Sequence, residues 1–301
     1  MSPRDEKPTG PPEPPALRQV DGPEQTALSF ARVLRHRPPT IGPDTSVTPA
    51  GVYIEAWTPS ASLVGQYRHV VGSDARMPLT FPALIGTRLH RDLMGAGGLP
   101  VNGMGLVHVA TELWSSNRLP VDEPWRLSAW ADGSRHTRSG LEVDLWARCE
   151  ADDASWTARV VVLARAKAAR GEEPSAAAAV PDSTGPWTLT APLVAGSGAG
   201  RAYARVSGDV NPIHLHALTA RPFGFSRAIA HGWWTLPRAL ALMGVDETPT
   251  EATRRLEVSY RRPVLLPSES TLHAQVGDSE SAFLLLNSEG KAHLGGRLAQ
   301  V

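Results

Sequence analysis

Tyr203 to Ala220 reads YARVSGDVNPIHLHALTA, and its centre, Ser207-Gly208-Asp209-Val210-Asn211-Pro212-Ile213-His214, cannot be regular helix. Pro212 lacks a backbone donor and steers Asn211 away from the α region. Gly208 accepts a positive φ just ahead of the carboxylate, and Asn211 tolerates left-handed geometry. The segment is therefore predicted to form a turn that aims Asp209 and His214 at a common point. A water held between the two makes an acid–base centre, because imidazole titrates near neutrality and a carboxylate orients or shares the proton.

The pattern is composite: an aromatic residue, an aliphatic one, Ser-Gly-Asp-x-Asn-Pro-aliphatic-His, then a small residue six positions on. Tyr203, Val206, Ser207, Gly208, Asp209, Asn211, Pro212, Ile213, His214 and Ala220 meet it, and Gly224-Phe225 and Ala230-His231-Gly232 follow in order. Two landmarks in this order outweigh the plainer reading of a capped surface turn with a solvated histidine. Together they resemble the MaoC-like, (R)-specific enoyl-thioester hydratases and dehydratases of the hotdog fold. The resemblance implies that a water between Asp209 and His214 adds to C3 of a trans-2-enoyl thioester, with dehydration as the reverse. It implies Gly232 N–H as the donor to the thioester oxygen, since a helix start carries orphan donors and favours an anion. Asn211 is expected to position Asp209. Ser207, His231, Trp233 and Trp234 are expected to contact substrate, with one tryptophan walling an acyl tunnel. No cofactor and no metal is implied, although His214, His216, Asp209 and His231 could be read as zinc ligands. Pro237 conflicts with a regular helix from Gly232, so either a start at Thr235 or a kink is expected.

Working outward, the 301 residues suffice for one large or two ordinary domains. An apolar fraction of 42%, a charged fraction of 20% and zero formal net charge fit an ordinary soluble protein and give no sign of a nucleic-acid partner. The sole cysteine, Cys149, excludes an intrachain disulfide and fits a cytoplasmic setting. Nothing in the sequence suggests a leader or a membrane span. Gly196-Ser-Gly198-Ala-Gly200 lacks dinucleotide-fingerprint spacing and is read as a flexible lead-in to a helix around Tyr203.

Met1 to Glu24 is proline-rich and is read as a disordered arm, and Thr26 to Arg37 as a short docking helix. Residues 1–45 are thus set apart from the body. A helix is predicted from Pro78 through Met94, stopping at Gly95. Strands are predicted at Leu106–Trp114, Trp125–Trp130, Leu141–Ala147 and Ser155–Ala164, separated by turns such as Asp132-Gly133 and Ser139-Gly140. Gly171 to Pro186 reads as a linker. The second half repeats the order: a helical segment before Asp209, a helical region from Ala217 to Met243, then four strands between Arg255 and Leu298.

The expected architecture is α+β, a double hotdog. Residues 46–170 form one hotdog domain, 171–186 the linker and 187–301 the catalytic MaoC-like domain. Each is a long central helix wrapped by a curved antiparallel sheet. Tyr67-x-x-Val70-Val71-Gly72 lines up with Tyr203-x-x-Val206-Ser207-Gly208 as an internal repeat. Continuing the alignment, Ser73 falls on Asp209 and Pro78 on His214, so the first half lacks the pair. It is expected to house the acyl tail, with Ala83 on its helix as a small position beside the channel. The expected substrate is an acyl-CoA or acyl-carrier-protein thioester. Either a homodimer or a pairing with a related hotdog subunit stays open. The competing functions are a hotdog acyl-thioesterase and a non-catalytic acyl-binding or partner subunit.

Overall fold

In a computed structural model, residues 11–22, 32, 33, 35, 40–97, 99–101, 103–166, 181, 185–247 and 253–301 are described. The first half supplies β1 (Leu17–Gln19), β2 (Ala50–Trp57), α1 (Ala61–Val71), α2 (Phe81–Gly95), β3 (Val107–Ser116), β4 (Trp125–Thr137), β5 (Gly140–Ala151) and β6 (Ala154–Arg165). The second supplies β7 (Leu189–Ala195), α3 (Ala199–Ser207), α4 (Ala217–Ala220), α5 (Gly232–Met243), β8 (Thr253–Tyr260), β9 (Ser268–Gln275), β10 (Glu280–Leu286) and β11 (Ala292–Gln300). The expected linker lies almost wholly outside the described residues.

The eleven strands among the described residues form one sheet in the order β1-β2-β4-β5-β6-β3-β8-β11-β10-β9-β7. Leaving β1 aside, this order is symmetrical about the β3–β8 seam: β2 corresponds to β7, and β4, β5 and β6 to β9, β10 and β11. Each half is therefore the same five-stranded unit with its own helices, joined edge to edge. The seam is antiparallel and runs from Ala110↔Ser259 to Ser116↔Thr253. It closes the two edges that would otherwise invite pairing with other chains.

The repeat seen in the sequence coincides with this symmetry. α1 ends at Gly72 and α3 at Gly208, both in the left-handed region, with φ 65° and 69°. That is a helix stop glycine makes without a Cβ clash. Tyr67 and Tyr203 meet edge to face, with ring centroids 6.4 Å apart. In the first half the position equivalent to Asp209 is taken by buried Ser73, whose hydroxyl donates to Asp246.

The central helix α2 begins after Thr80 with Pro82 in its first turn, a position where a missing N–H costs nothing. Its buried face carries Leu84, Ile85, Leu89 and Leu93 against β4 and β5, and Gly86 lets it approach Ala147 closely. The opposite face of the sheet is also covered. Trp130, Trp146 and Trp114 stack there, with centroids 5.9 and 6.1 Å apart. Arg148, Arg159 and Arg255 lie over those rings. Arg159 bridges Glu112 at 2.9 Å and Asp144 at 2.7 Å, and Arg255 holds Glu257 at 2.7 Å. These cations offset the like charges of Glu112 and Glu257, which face each other across the seam.

Several expectations need correction. Leu17–Gln19, read as part of a disordered arm, pairs in parallel with Gly51–Tyr53 as an edge strand, and Arg148 ties down Pro12 and Glu13 beside it. Sheet-edge hydrogen bonds, which composition does not report, order this piece; Met1 to Gly10 lie outside the described residues. Of the expected docking helix, Arg32, Val33 and Arg35 are helical and Val33 is buried; the rest lies outside the described residues. Asp132-Gly133 is no turn: β4 runs through it with a register shift, Gly133 at φ 106° making a bulge. Ala217 to Met243 is not one helical region but α4, a 3-10 turn, an extended approach and α5. The glycines at 196–200 lead straight into α3, with Gly198 as its cap residue and Gly200 in its first turn, packed against the His214 carbonyl where a Cβ would collide.

Candidate active site

The site is built from the end of α3. After Gly208, the Asp209 N–H donates to Ser207 Oγ at 3.0 Å, and that hydroxyl donates to Tyr203 O at 2.9 Å. The Asn211 N–H returns to Asp209 Oδ1 at 3.2 Å, closing a turn of the kind short polar side chains favour. Pro212 then opens a 3-10 turn, Pro212–His214, which brings the imidazole back. The carboxylate of Asp209 and ring nitrogens of His214 and His231 all lie within 4.8 Å of one another.

The tautomers follow from carbonyls, which only accept. His214 Nδ1 is 2.8 Å from Ile229 O, so Nδ1 carries the proton and Nε2 presents a lone pair. His231 Nε2 is 3.1 Å from Asp209 O and therefore donates, while its buried Nδ1 has no partner among the described residues. The rings of His214 and His231 stack with centroids 3.6 Å apart, and Tyr203 backs His231 at 4.8 Å.

Burial would raise the Asp209 carboxyl, but His231, His214 and Arg91 outweigh it and hold it below the usual carboxylate range. Of these neighbours Arg91 is the permanent cation. Burial pushes His214 down despite Asp209 and the Ile229 carbonyl. His231 is pushed down to about 3 by burial and by electrostatic repulsion from His214, against Asp209. At neutral pH the site thus pairs an ionised carboxylate with two neutral imidazoles. The side chain of Asp209 remains 28% exposed, so it faces the cavity rather than the core.

The first half holds this loop in place. Arg88, on α2, donates to Ser207 O at 3.2 Å and Val206 O at 2.7 Å, and Arg91 donates to Gly208 O. Two cations thereby satisfy the last carbonyls of α3, where the helix dipole favours them. The Asn211 side-chain oxygen accepts from Gly105 N–H at 3.4 Å. Neither arginine carries a sequence signal; only the packing of one half on the other shows their role.

α5 begins at Gly232 with His231 as its cap residue, and the N–H groups of Trp234 and Thr235 both reach back to His231 O at 3.0 Å. Pro237 sits inside the helix, which runs from Gly232 to Met243 and so does not start at Thr235. Tertiary burial of Leu236, Ala239 and Leu240 outweighs the one lost hydrogen bond. A Cβ on Gly232 would meet the His108 ring and Tyr260, so only glycine fits there.

A cavity of about 330 Å³ joins these groups. Asp209, Asn211, His214, His231 and Gly232 are among its lining residues. Thr87 and Met94 of α2, with Leu145, Val160 and Val162 of β5 and β6, form an apolar wall from the first half. The exposed Arg165, Arg261 and Arg262 stand at its rim. Three expected positions fall outside. Ser207 is fully buried beneath the loop, bonded to Tyr203 and Asp209 instead of lining the cavity. Trp234 turns away and donates to Val70 O at 3.1 Å, leaving Trp233 as the tryptophan on the wall. Ala83 packs in the core, one turn before the lining residue Thr87. His216 caps α4 on the surface and does not join the histidine pair. His108 lines the cavity and was not singled out in the sequence, where it is one polar residue inside a strand-like run.

The family model described as MaoC like domain matches residues 179–292. The chain is 28% identical over 225 residues, 73% of its own length and 77% of the other's, to 3-hydroxyacyl-thioester dehydratase X of Mycobacterium tuberculosis. The crystal structure of HtdX from the same organism superposes with a TM-score of 0.70 at 26% identity, covering 83% of this chain and all of that one. A MaoC-like dehydratase from Phytophthora capsici shares the fold at 14% identity, with a TM-score of 0.59 over 86% of this chain and 96% of that one. Motif, paired five-stranded halves and these matches agree: residues 179–292 match the MaoC like domain, and the chain is similar over most of its length to MaoC-like dehydratases.

Proposed function

We propose that this protein hydrates trans-2-enoyl thioesters to (R)-3-hydroxyacyl thioesters and catalyses the reverse dehydration, with one centre per chain in the second half. The observation that carries it is the convergence of the Asp209 carboxylate and the His214 ring within 4.8 Å in the lining of a cavity. The His214 tautomer leaves Nε2 free to accept a proton. In hydration, Asp209 and His214 hold the water; its oxygen bonds to C3 and one of its protons is delivered to C2. Charge that builds on the thioester oxygen meets the N–H of Gly232 at the start of α5, a donor in place before the reaction begins. His231 and Asn211 position Asp209, His231 through the Asp209 carbonyl and Asn211 through the turn. No metal or cofactor enters this reading.

The first half is assigned the role of tail housing. Its position equivalent to Asp209 is occupied by Ser73, and its apolar residues Met94, Leu145, Val160 and Val162 wall the cavity. Residues 46–170 and 187–301 are taken as the two hotdog domains. The thiol carrier is coenzyme A or an acyl carrier protein. The thioesterase reading is disfavoured because α5, the second half's central helix, carries no acidic residue.

The test is a chain-length series of trans-2-enoyl-CoA substrates followed by loss of the conjugated absorbance, with thiol release from saturated acyl-CoA run alongside. Hydration without thiol release is expected, with medium and long chains preferred over crotonyl-CoA, since each buried methylene contributes about 0.8 kcal/mol. Chiral chromatography after hydrolysis should give the (R) product. Thiol release without hydration, or an (S) product, would overturn the assignment.

A further inference from the structure

His108 belongs to the half without the acid–base pair, yet it lines the cavity beside Gly232. It sits where β3 breaks register between His108 and Ala110. Such a bulge re-aims a side chain out of the regular alternation. The ring lies against Tyr260, centroids 4.2 Å apart, and Trp233 at 5.5 Å. Its orientation is therefore set by packing from both halves.

Its protonation is also set. Nε2 is 3.1 Å from Ala110 O and 2.7 Å from Thr111 Oγ1. A carbonyl cannot face a lone pair at that distance, so Nε2 carries the proton and Nδ1 is the acceptor. Burial pushes the ring down to about 3, against the Ala110 carbonyl, so a second proton does not occupy Nδ1 at neutral pH. Nδ1 is the atom that a Cβ on Gly232 would strike, which places an acceptor at the first turn of α5. An acceptor there does not stabilise a thioester oxyanion; it calls for a donor on the ligand. Tyr260, packed on the ring, leads directly into Arg261 and Arg262 at the cavity rim. His108 thus touches Gly232 on one side and, through Tyr260, the strand end that leads to the rim arginines on the other.

We propose that His108 is a substrate-positioning residue whose Nδ1 accepts a hydrogen bond from an amide N–H of the pantetheine arm, next to the thioester held at Gly232. This rests on the enoyl-thioester reading of the site. It makes the centre a composite: chemistry from the second half, arm recognition from the first. A coenzyme A and an acyl-carrier-protein thioester share this amide, so His108 serves both carriers.

The test compares a trans-2-enoyl-CoA with the S-ethyl thioester of the same acid, which has no amide. His108→Gln puts an amide group near Nε2, keeping donors for Ala110 and Thr111 but leaving nothing at Nδ1. It should lower kcat/KM for the CoA thioester about tenfold, mainly through KM, the size of one lost hydrogen bond. The S-ethyl thioester should change less than about twofold. His108→Asn places its side-chain oxygen near Nδ1 and should recover part of the CoA-specific loss. Equal losses on both substrates would mean a packing role and overturn the proposal, as would an unchanged CoA reaction in His108→Gln. A parent protein that hydrates neither thioester would instead bring down the reading of the Asp209–His214 centre.

Discussion

In the proposed mechanism Asp209 acts through its charge and His214 through a lone pair, and each can be removed with little change of shape. Asp209→Asn keeps the turn to Asn211 N–H, and His214→Gln keeps a polar side chain beside the loop. Each should lower hydration roughly a hundredfold or more, the scale of a positioned acid or base, with the circular dichroism of the parent retained. Near-parent turnover in either variant would remove it from the mechanism. The pH profile gives a separate check. Burial lowers the His214 pKa, so the ring stays neutral, and able to accept a proton, below the ordinary imidazole range near 6.5. The acid limb of kcat/KM for hydration should therefore lie below that of a free imidazole. A limb at or above it would show that His214 is not the group being titrated.

At the scale of elements, α2 does two jobs. Arg88 and Arg91 on one turn clamp the carbonyls that end α3, and Thr87 and Met94 line the apolar wall. Thr87→Trp should therefore cut activity on long enoyl chains more than on crotonyl-CoA, by about tenfold relative, since it fills the space several methylenes would occupy. A measurement of kcat/KM across chain lengths decides it; a uniform loss would place the tail elsewhere. The same substitution at Ala83 would overpack the core, because that side chain faces away from the cavity. Helical periodicity marks both as inner positions, and only the relation of α2 to β5 and β6 separates them.

For the molecule as a whole, buried neutral histidines couple stability to pH. His90 is held down to about 4 and His231 to about 3, both mainly by burial. Between those values and 6.5 the unfolded chain binds more protons than the folded one, so stability rises with pH and falls on acidification. At pH 5 each such group costs roughly 2 kcal/mol, from about 1.36 kcal/mol per unit below 6.5. The urea midpoint should drop clearly between pH 7 and pH 5. His90 Nε2 lies 2.7 Å from Trp146 O, and His90→Gln keeps a donor there without a titrating group. That variant should flatten the slope, whereas an unchanged slope would mean His90 is protonated in the fold. Among the described residues no helix is long and apolar enough to cross a membrane.

The sequence by itself determined the local chemistry. Gly208, Asp209, Asn211 and Pro212 dictate a turn whatever surrounds them, because φ/ψ limits and side-chain-to-backbone bonds act over a few residues. The long helix α2 and the strands were legible for the same reason, through the periods of burial along them. The matching of Tyr67–Gly72 with Tyr203–Gly208 likewise rested on residues whose backbone roles are local. What tertiary structure decided was every relation across the seam. Arg88, Arg91 and Gly105 reach the acid loop from more than a hundred residues away. The β4 bulge at Gly133, the edge strand at Leu17–Gln19 and the start of α5 at Gly232, ahead of Pro237, each set a local preference against sheet pairing or burial, and the long-range term won. His108 shows the division most plainly: in the chain it is one polar residue in a strand, and only β3 laid against β8 sets its ring on Gly232.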